Sequence, residues 1–306
     1  MTPDVVVVGA SNLDLCFRAA QLPGRGETVA GAEFTENLGG KAANQAVAAA
    51  RIGAEVAFVS SLGRDEAGAE LEQLLRSERI DMGGCQFVPG QRTGRACIWL
   101  DGDGENRILV APCANAYLDE KAVREGLGTL SGAATVLCQL ETPVEGVAAA
   151  LAWARRAGAR SIVNAAPAIP FEGLRVMPDV LVANEQEARL LLDSPDREIG
   201  GIAARLAERT GVALIVVTLG AAGALLWEGG EERRIATPAV RVRDTTGAGD
   251  AFCGALAARL AAGDEPVRAA ELGCAAGALA IQRLGAMSSL PSLAEVEVLL
   301  ADHGSI

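Results

Sequence analysis

The sequence predicts a doubly wound α/β fold that carries a small β-structured flap. Strand-like and helix-like segments alternate along most of the chain, which implies βαβ units and a parallel sheet. The first strand-like run, Asp4–Gly9, places four valines in a row before a glycine, the pattern of a strand buried on both faces. Half of the 306 residues are hydrophobic but only 3% are aromatic, and Ala, Val, Leu and Gly dominate. That composition suits small residues packing helices onto a sheet better than an aromatic-cored sandwich.

In chain order, Glu27–Thr35, Gly94–Leu100 and Asn106–Ala111 mix polar and apolar residues over short stretches, the last two split by the hairpin signal Asp101-Gly-Asp-Gly104. These read as half-exposed antiparallel strands, and they define a flap built from two separated segments, roughly 12–37 and 92–113. Helical periodicity covers Ala42–Ile52, Glu66–Ser77, Val144–Ala157, Glu185–Leu192 and Ile199–Arg209. Strands are predicted at Val56–Ser60, Ala134–Gln139, Ser161–Asn164, Val180–Ala183 and Ala213–Thr218, with a largely helical end from Ala248 onward. No repeat, low-complexity tract or linker divides 1–306, which reads as a single domain.

A net charge of -12 with no compensating basic stripe speaks against a nucleic-acid partner. The start of the chain lacks a basic leader, and the longest apolar run, Val212–Trp227, is broken by Thr218, Gly220 and Gly223, so neither a signal peptide nor a membrane span is expected. Seven cysteines without a C-x-x-C pair suggest neither zinc nor a disulfide framework, and fit a reducing cytoplasm. The one histidine, His303, lies near the end of the chain, so any general base is a carboxylate, Lys, Tyr or Cys.

The sharpest motif is DTTGAGD, Asp244–Asp250, leading into the small-residue helical pattern AFCGALAARLAAG. Gly247 and Gly249 permit a tight turn whose N–H groups point outward at a helix start, which makes an anion hole. Such turns are more often only turns, and Asp250 in the first helical turn is explained by the helix dipole alone, worth about 0.3–1 kcal/mol. The functional alternative makes Asp250 the acceptor of a proton from a hydroxyl held in line with a phosphate.

In GGKAANQAVAAARIG, Gly39–Gly53, paired glycines open an amphipathic helix. It is not a Walker A loop, because Thr35 stands where that motif needs glycine. Lys41 and Asn44 offer donors to a polyhydroxyl ligand, while Asn44 reads equally as a partly buried cap. After the first strand come Ser11, Asn12 and Asp14 instead of the glycine fingerprint of a dinucleotide enzyme. An amide and a carboxylate at a strand's carboxyl end suit vicinal hydroxyls, or else simply form an Asn/Asp turn. Gln139-Leu-Glu141 and Asn184 also follow strands; Glu187, three residues beyond Asn184, is either a site residue or its capping-box partner. TLGAAG, Thr218–Gly223, reads as a hairpin turn or as a nucleotide-phosphate contact.

Taken together, GASNLD, GGKAANQA, QLETP, VNAAPA, ANEQEA, TLGAAG and DTTGAGDAF resemble, in order and spacing over nearly the whole chain, the PfkB carbohydrate kinases, and within them the ribokinase branch. The resemblance implies a three-layer α/β/α sandwich with a β-sheet lid that closes over the sugar and often builds a homodimer. It implies ATP-dependent phosphorylation of D-ribose at O5, with Asp250 as base and Gly247, Ala248 and Gly249 as anion hole. Asn12, Asp14, Gly40, Lys41, Asn44 and Glu141 would hold ribose. Asn184, Thr218, Gly220, Gly223, Gly249 and Cys274 would line the ATP site, with Glu187 organising Mg²⁺ through water. An activating monovalent cation, usually K⁺, would be bound by Asp244, Thr246, Ala280, Arg283, Gly285 and Ser289, mostly through backbone carbonyls. Ala42 and Cys113 stand where many ribokinases have glycine, and Cys274 where an asparagine near the adenine is common. Two other readings remain at this point: a kinase of the same family for another sugar or a nucleoside, and a non-catalytic sugar-binding protein on the same fold.

Overall fold

Four consecutive valines leave no polar side for water, and strand β1 (Val5–Val8) is correspondingly enclosed between layers, with each residue at most 1% exposed. The computed structural model describes residues 2–102, 106–169, 174, 176–193 and 200–303. In it β1 lies inside an eight-stranded sheet, parallel to β4 (Val56–Val59) on one side and to β9 (Thr135–Gln139) on the other. Beyond β9 the parallel order continues through β10 (Arg160–Asn164), β11 (Val180–Asn184) and β12 (Leu214–Thr218). The antiparallel pair β13 (Ala224–Glu228) and β14 (Glu231–Ile235) forms that edge.

Side chains alternate across the sheet, so Val5 and Val7 enter one core while Val6 and Val8 enter the other. The first core is covered by α1 (Lys41–Arg51), α2 (Glu66–Ser77), α7 (Ala248–Ala261), α8 (Pro266–Ala280) and α9 (Leu293–Asp302). The second is covered by α3 (Glu120–Leu127), α4 (Val144–Ala157), α5 (Glu185–Leu192) and α6 (Ile202–Thr210). The result is the predicted three-layer α/β/α arrangement. The chain order reverses at β1, with β4 to one side and β9 to the other, so the crevice beyond the carboxyl ends of β1 and β9 is where such a sheet receives ligands. No helix among the described residues is long and apolar enough to cross a membrane.

A second sheet of four strands, in the order β3 (Glu33–Gly39), β2 (Asn12–Arg18), β7 (Gly94–Leu100), β8 (Asn106–Ala111), makes the flap. Its root is tied to the start of α2 through Asp65, which accepts hydrogen bonds from Thr93 Oγ1 at 2.6 Å, from Gly68 N at 3.1 Å and from Arg95 Nη2 at 2.8 Å. Two short strands, β5 (Ser61–Gly63) and β6 (Gln86–Val88), pair beside it.

The structure corrects several expectations. Asn12 and Asp14 do not form a turn but begin β2, and β2 runs parallel to β7, so the flap is mixed and not purely antiparallel. The strand expected at Glu27–Thr35 lies at Glu33–Gly39, because pairing with β2 runs from Arg18↔Glu33 to Asn12↔Gly39, while Gly31 at φ 83° interrupts extended backbone before it. The flap's first segment therefore extends to Gly39. The helix expected from Ile199 starts at Ile202, after Gly201 at φ 73°; residue 199 itself, and Asp103 and Gly104 of the hairpin signal, lie outside the described residues. Helix α3 and strands β5, β6 and β14 add to the predicted elements, while β13 is the second arm of the hairpin that TLGAAG signals.

Helices α1 and α7 meet face to face at Gly254. A Cβ there would overlap Ala48 Cβ and sit 2.6 Å from the carbonyl oxygen of Gln45. Gly254→Ala is expected to push the two helices apart and lower unfolding free energy by about 1–3 kcal/mol in urea titration, with turnover falling as well because both helices carry site residues.

Candidate active site

The crevice at the carboxyl ends of the strands is polar because each strand ends in a group that must face a ligand or a neighbour: Asn12 shortly after β1, Gln139 and Glu141 at β9, Asn164 at β10, Asn184 at β11 and Thr218 at β12. Helix α7 enters it from the loop Asp244–Gly247. Gly247 caps the helix at φ 79°, a conformation that favours glycine, and packs against Ala286. Among the described residues the backbone N–H groups of Gly247, Gly249 and Asp250 have no acceptor, and Ala248 N gives only a long 3.4 Å bond back to Thr245 O. These N–H groups are what an anion would meet.

Asp250, in the first turn of α7, is 9% exposed. Its Oδ2 accepts from Asn44 Nδ2 at 2.8 Å and its Oδ1 from Gln45 Nε2 at 2.9 Å. Burial pushes the carboxyl up from its ordinary range, and Lys41 together with the two amide donors pulls the other way. Burial opposes charge on Lys41 too, yet Asp250, Glu141 and Glu187 hold its ammonium above the usual range. Glu141 and Glu187 are both raised, first by burial. Glu141 Oε2 accepts a 3.3 Å bond from Lys41 N. Asp14 is raised to about 7 by burial and by the charges of Glu141 and Asp250, against Lys41. One cation is thus set among four carboxyl groups.

Gly40 lets α1 begin this close to the first strand: at φ 91° its α-carbon faces the Ser11–Asn12 backbone, and a Cβ would lie 2.7 Å from Asn12 N. Asn12 is oriented by Asn115, whose Nδ2 donates to Asn12 Oδ1 at 2.9 Å and to Ser11 O at 3.1 Å. The structure thus gathers Asn12, Asp14, Gly40, Lys41, Asn44, Glu141 and Asp250, the residues that the resemblance assigns to the sugar, into one cluster.

Asn184 and Thr218 are register partners on adjacent strands, and Gly220 and Gly223 form the β12–β13 hairpin turn, which is the plainer of the two readings of TLGAAG. Asn184 and Glu187 form a reciprocal capping box, with both bonds at 2.8 Å. That engages Glu187 Oε2 while the same carboxyl still shares the field of Lys41 and Asp250. Cys274 is 6% exposed on α8 and its thiol is pushed up to about 12 by burial, so it stands as a small neutral group.

In the loop before α7, Asp244 Oδ1 accepts from Thr246 N and Oδ2 from Gly285 N, both at 2.9 Å. Burial alone would raise this carboxyl, but those bonds more than offset it and hold it below the usual range. Arg283 turns its guanidinium to Glu295 while its N–H bonds to Ala280 O, so only its carbonyl is left to face the loop; Ser289 Oγ donates to Ala286 O at 2.7 Å. The carboxylate of Asp244, the hydroxyl of Ser289 and the backbone carbonyls of these segments are hard oxygens, the donor type that suits an alkali cation.

Residues 2–293 match the pfkB family of carbohydrate kinases. The chain belongs to that family. A ribokinase of Haemophilus influenzae is 35% identical over 298 residues, covering 96% of this chain and 97% of that protein. Among solved structures, a Thermotoga maritima ribokinase superposes with a TM-score of 0.87 at 35% identity, covering 98% of this chain and 99% of that one. An Arabidopsis thaliana ribokinase, solved in complex with ribose and ATP, gives 0.86 at 30% identity with the same coverage. A pfkB-family carbohydrate kinase takes its phosphoryl group from a nucleotide, and the free N–H groups at the start of α7 beside a buried carboxylate are features such chemistry uses.

Sequence reasoning missed the amides Gln45, Asn164 and Asn115 behind the kinase cluster and gave Gln139 only as a polar group at a strand end; all four are buried. Their signal was present in QLETP, VNAAPA and GGKAANQA as polar residues embedded in apolar runs, since a buried amide must find partners.

An acid whose native pKa lies above its unfolded value binds its proton more tightly when folded, so Asp14 contributes stability at low pH that is lost as pH rises from about 4 to about 7. Asp14→Asn is therefore expected to shrink the fall in Tm of the ligand-free protein between about pH 5 and about pH 8, followed by scanning calorimetry. An identical fall in both proteins would mean that Asp14 titrates as if in water.

Proposed function

We propose that this pfkB-family kinase transfers the γ-phosphoryl group of ATP to O5 of D-ribose, giving D-ribose 5-phosphate. The observation that carries the reading is Asp250: a buried carboxylate with fixed orientation, in the same helical turn as unpaired N–H groups, at the ligand-receiving end of the sheet. Ribose as the sugar is supported by the ribokinase relatives and by the relative solved with ribose and ATP.

In this reading Asn12, Asp14, Gly40, Lys41, Asn44 and Glu141 hold the sugar hydroxyls, with carboxylates accepting and amide and ammonium groups donating. Asp250 takes the proton of the attacking hydroxyl, a role worth about 10²–10⁴ in rate. The N–H groups of Gly247, Ala248 and Gly249 receive the charge that develops on the transferring group, and Asn184, Thr218, Gly220, Gly223 and Cys274 line the nucleotide. Lys41 pulls the carboxyls of Asp14, Glu141, Glu187 and Asp250 down against the burial that raises them. Mg²⁺ accompanying ATP, organised from Glu187 through water, neutralises phosphate charge when bound. The oxygens of Asp244, Thr246, Ala280, Arg283, Gly285 and Ser289 would hold a monovalent cation, which would supply positive charge beside the loop that presents the N–H groups.

The β2-β3-β7-β8 sheet serves as the lid, excluding the water that would otherwise compete for the phosphoryl group. Its exposed Phe17, Phe34, Trp99, Ile108, Leu109 and Val110 support pairing of two copies through the lid. All seven cysteines are free thiols, in keeping with a reducing cytoplasm.

The deciding experiment follows ADP release with ATP, Mg²⁺ and K⁺ against ribose, deoxyribose, fructose, adenosine and other nucleosides. Ribose is expected to give the highest kcat/KM, and Asp250→Asn to lower kcat by about 10² or more while sugar and nucleotide binding persist. A different best substrate would redraw the sugar pocket, and near-normal turnover in Asp250→Asn would remove the base. In a separate assay, replacing K⁺ by Na⁺ is expected to reduce kcat, and Asp244→Asn to abolish the difference between the two cations; equal rates in both salts for the unmodified enzyme would undo the cation site.

A further inference from the structure

Three amides stand in line behind the carboxylate of Asp250, none of them exposed to a ligand. Gln45 and Gln139 are fully buried and Asn164 is 8% exposed. Gln45 Nε2 donates both to Asp250 Oδ1 at 2.9 Å and to Asn164 Oδ1 at 3.1 Å, while Gln45 Oε1 accepts from Gln139 Nε2 at 2.6 Å. Asn164 Nδ2 in turn donates to the main-chain carbonyl of Val182 at 3.3 Å.

An amide has two orientations that exchange donor for acceptor, and only one of them attracts a carboxylate. Here the choice is not left to Gln45. The Val182 carbonyl belongs to the sheet ladder and can only accept; it turns Asn164 so that its oxygen faces Gln45, and Gln139 supplies a donor to the other end of the same amide. The polarity of the line ends on Asp250 Oδ1. Keeping it has a visible consequence at the far end, where Gln139 Oε1 is buried against Gly9 and has no hydrogen-bond partner. Turning Gln139 over would bring its oxygen against the oxygen of Gln45.

We infer that Gln45 is a positioning residue for phosphoryl transfer, its amide oriented by Gln139 and Asn164 so that it donates to Asp250 and fixes the direction of the carboxylate. The inference rests on Asp250 being the base. Because a donor favours the charged form of its acceptor, losing Gln45 also makes the base harder to ionise. Charged and titrating groups face Asp250 from each neighbouring element: Asp14 on β2, Lys41 on α1, Glu141 after β9, Glu187 on α5 and Cys253 on α7. Replacing an amide alters none of those charges, so a shift in the acid limb of the kcat profile reports the hydrogen bond itself.

The test compares Gln45→Met, Gln139→Met and the double variant in full pH profiles of kcat and of KM for ribose and ATP, with thermal melts to verify folding. Gln45→Met is expected to lower kcat about tenfold, to leave KM for both substrates within about twofold, and to move the acid limb up by about one pH unit. Gln139→Met, one amide removed, shifts the limb in the same direction by less, and the double variant is no worse than Gln45→Met alone. Should Gln45→Met not fold, Gln139→Met decides by the same limb. An unmoved limb, or a loss that appears in KM in place of kcat, would overturn the inference and leave the amides as packing. Turnover surviving in Asp250→Asn would instead overturn the base assignment, whereas an inactive Asp250→Asn beside unmoved limbs sinks only the amide line.

Discussion

The structure is organised around one carboxylate removed from water. Asp250 sits where helices α1 and α7 meet, and a charge in that position is tolerable only with donors on both oxygens and a cation nearby. Asn44 and Gln45 supply the donors because α1 lies close enough to α7, and it does so because Gly254 offers no side chain and the facing residue is Ala48. The small-residue composition that first suggested an α/β fold thus also sets the helix separation on which the site depends. The same helix brings Lys41 from its first turn, and Gly40 allows that turn to begin against the Ser11–Asn12 backbone.

Around this point the protein gathers more negative charge than it neutralises. Asp14, Glu141, Glu187 and Asp250 all titrate above their ordinary ranges, and for each the leading cause is burial. Such a cluster works against the stability of the ligand-free protein as pH rises. Sugar hydroxyls donating to these carboxyls, and cations arriving with the nucleotide, would relieve it. A cluster that hydroxyl donors and cations would relieve is suited to a polyhydroxyl substrate.

Much of the fold was legible because its signals are local. Val5–Val8 announced a strand covered on both faces, and Glu66–Ser77, Val144–Ala157 and Glu185–Leu192 matched their helices residue for residue. The flap was less legible because its register is set by distant partners: β3 starts at Glu33, and not at Glu27, owing to its pairing with β2, and the parallel contact of β2 with β7 spans some eighty residues of chain that no local pattern encodes. The candidate site divided the same way. Motif residues next to glycines or at strand ends could be picked out, whereas Gln139 and Asn164 look like ordinary polar interruptions until β9 and β10 are seen to lie side by side beneath Gln45.

The flap shows how one strand can serve two surfaces. Along β2 the side chains alternate, so Asp14 turns inward to the field of Glu141, Asp250 and Lys41, and Phe17, of opposite parity, turns outward to stack against Phe34 with ring centroids 4.8 Å apart. At the far edge β8 exposes Ile108, Leu109 and Val110, with Leu109 at 75%. A row of unpaired strand edge with apolar side chains is a surface that proteins ordinarily cover. If a second copy covers it, as proposed, that contact lies at β8, two strands from β2 and its Asp14 in the order β3-β2-β7-β8, so the inward and outward surfaces of the flap are served by different strands at its edge and by different faces of β2 at its centre.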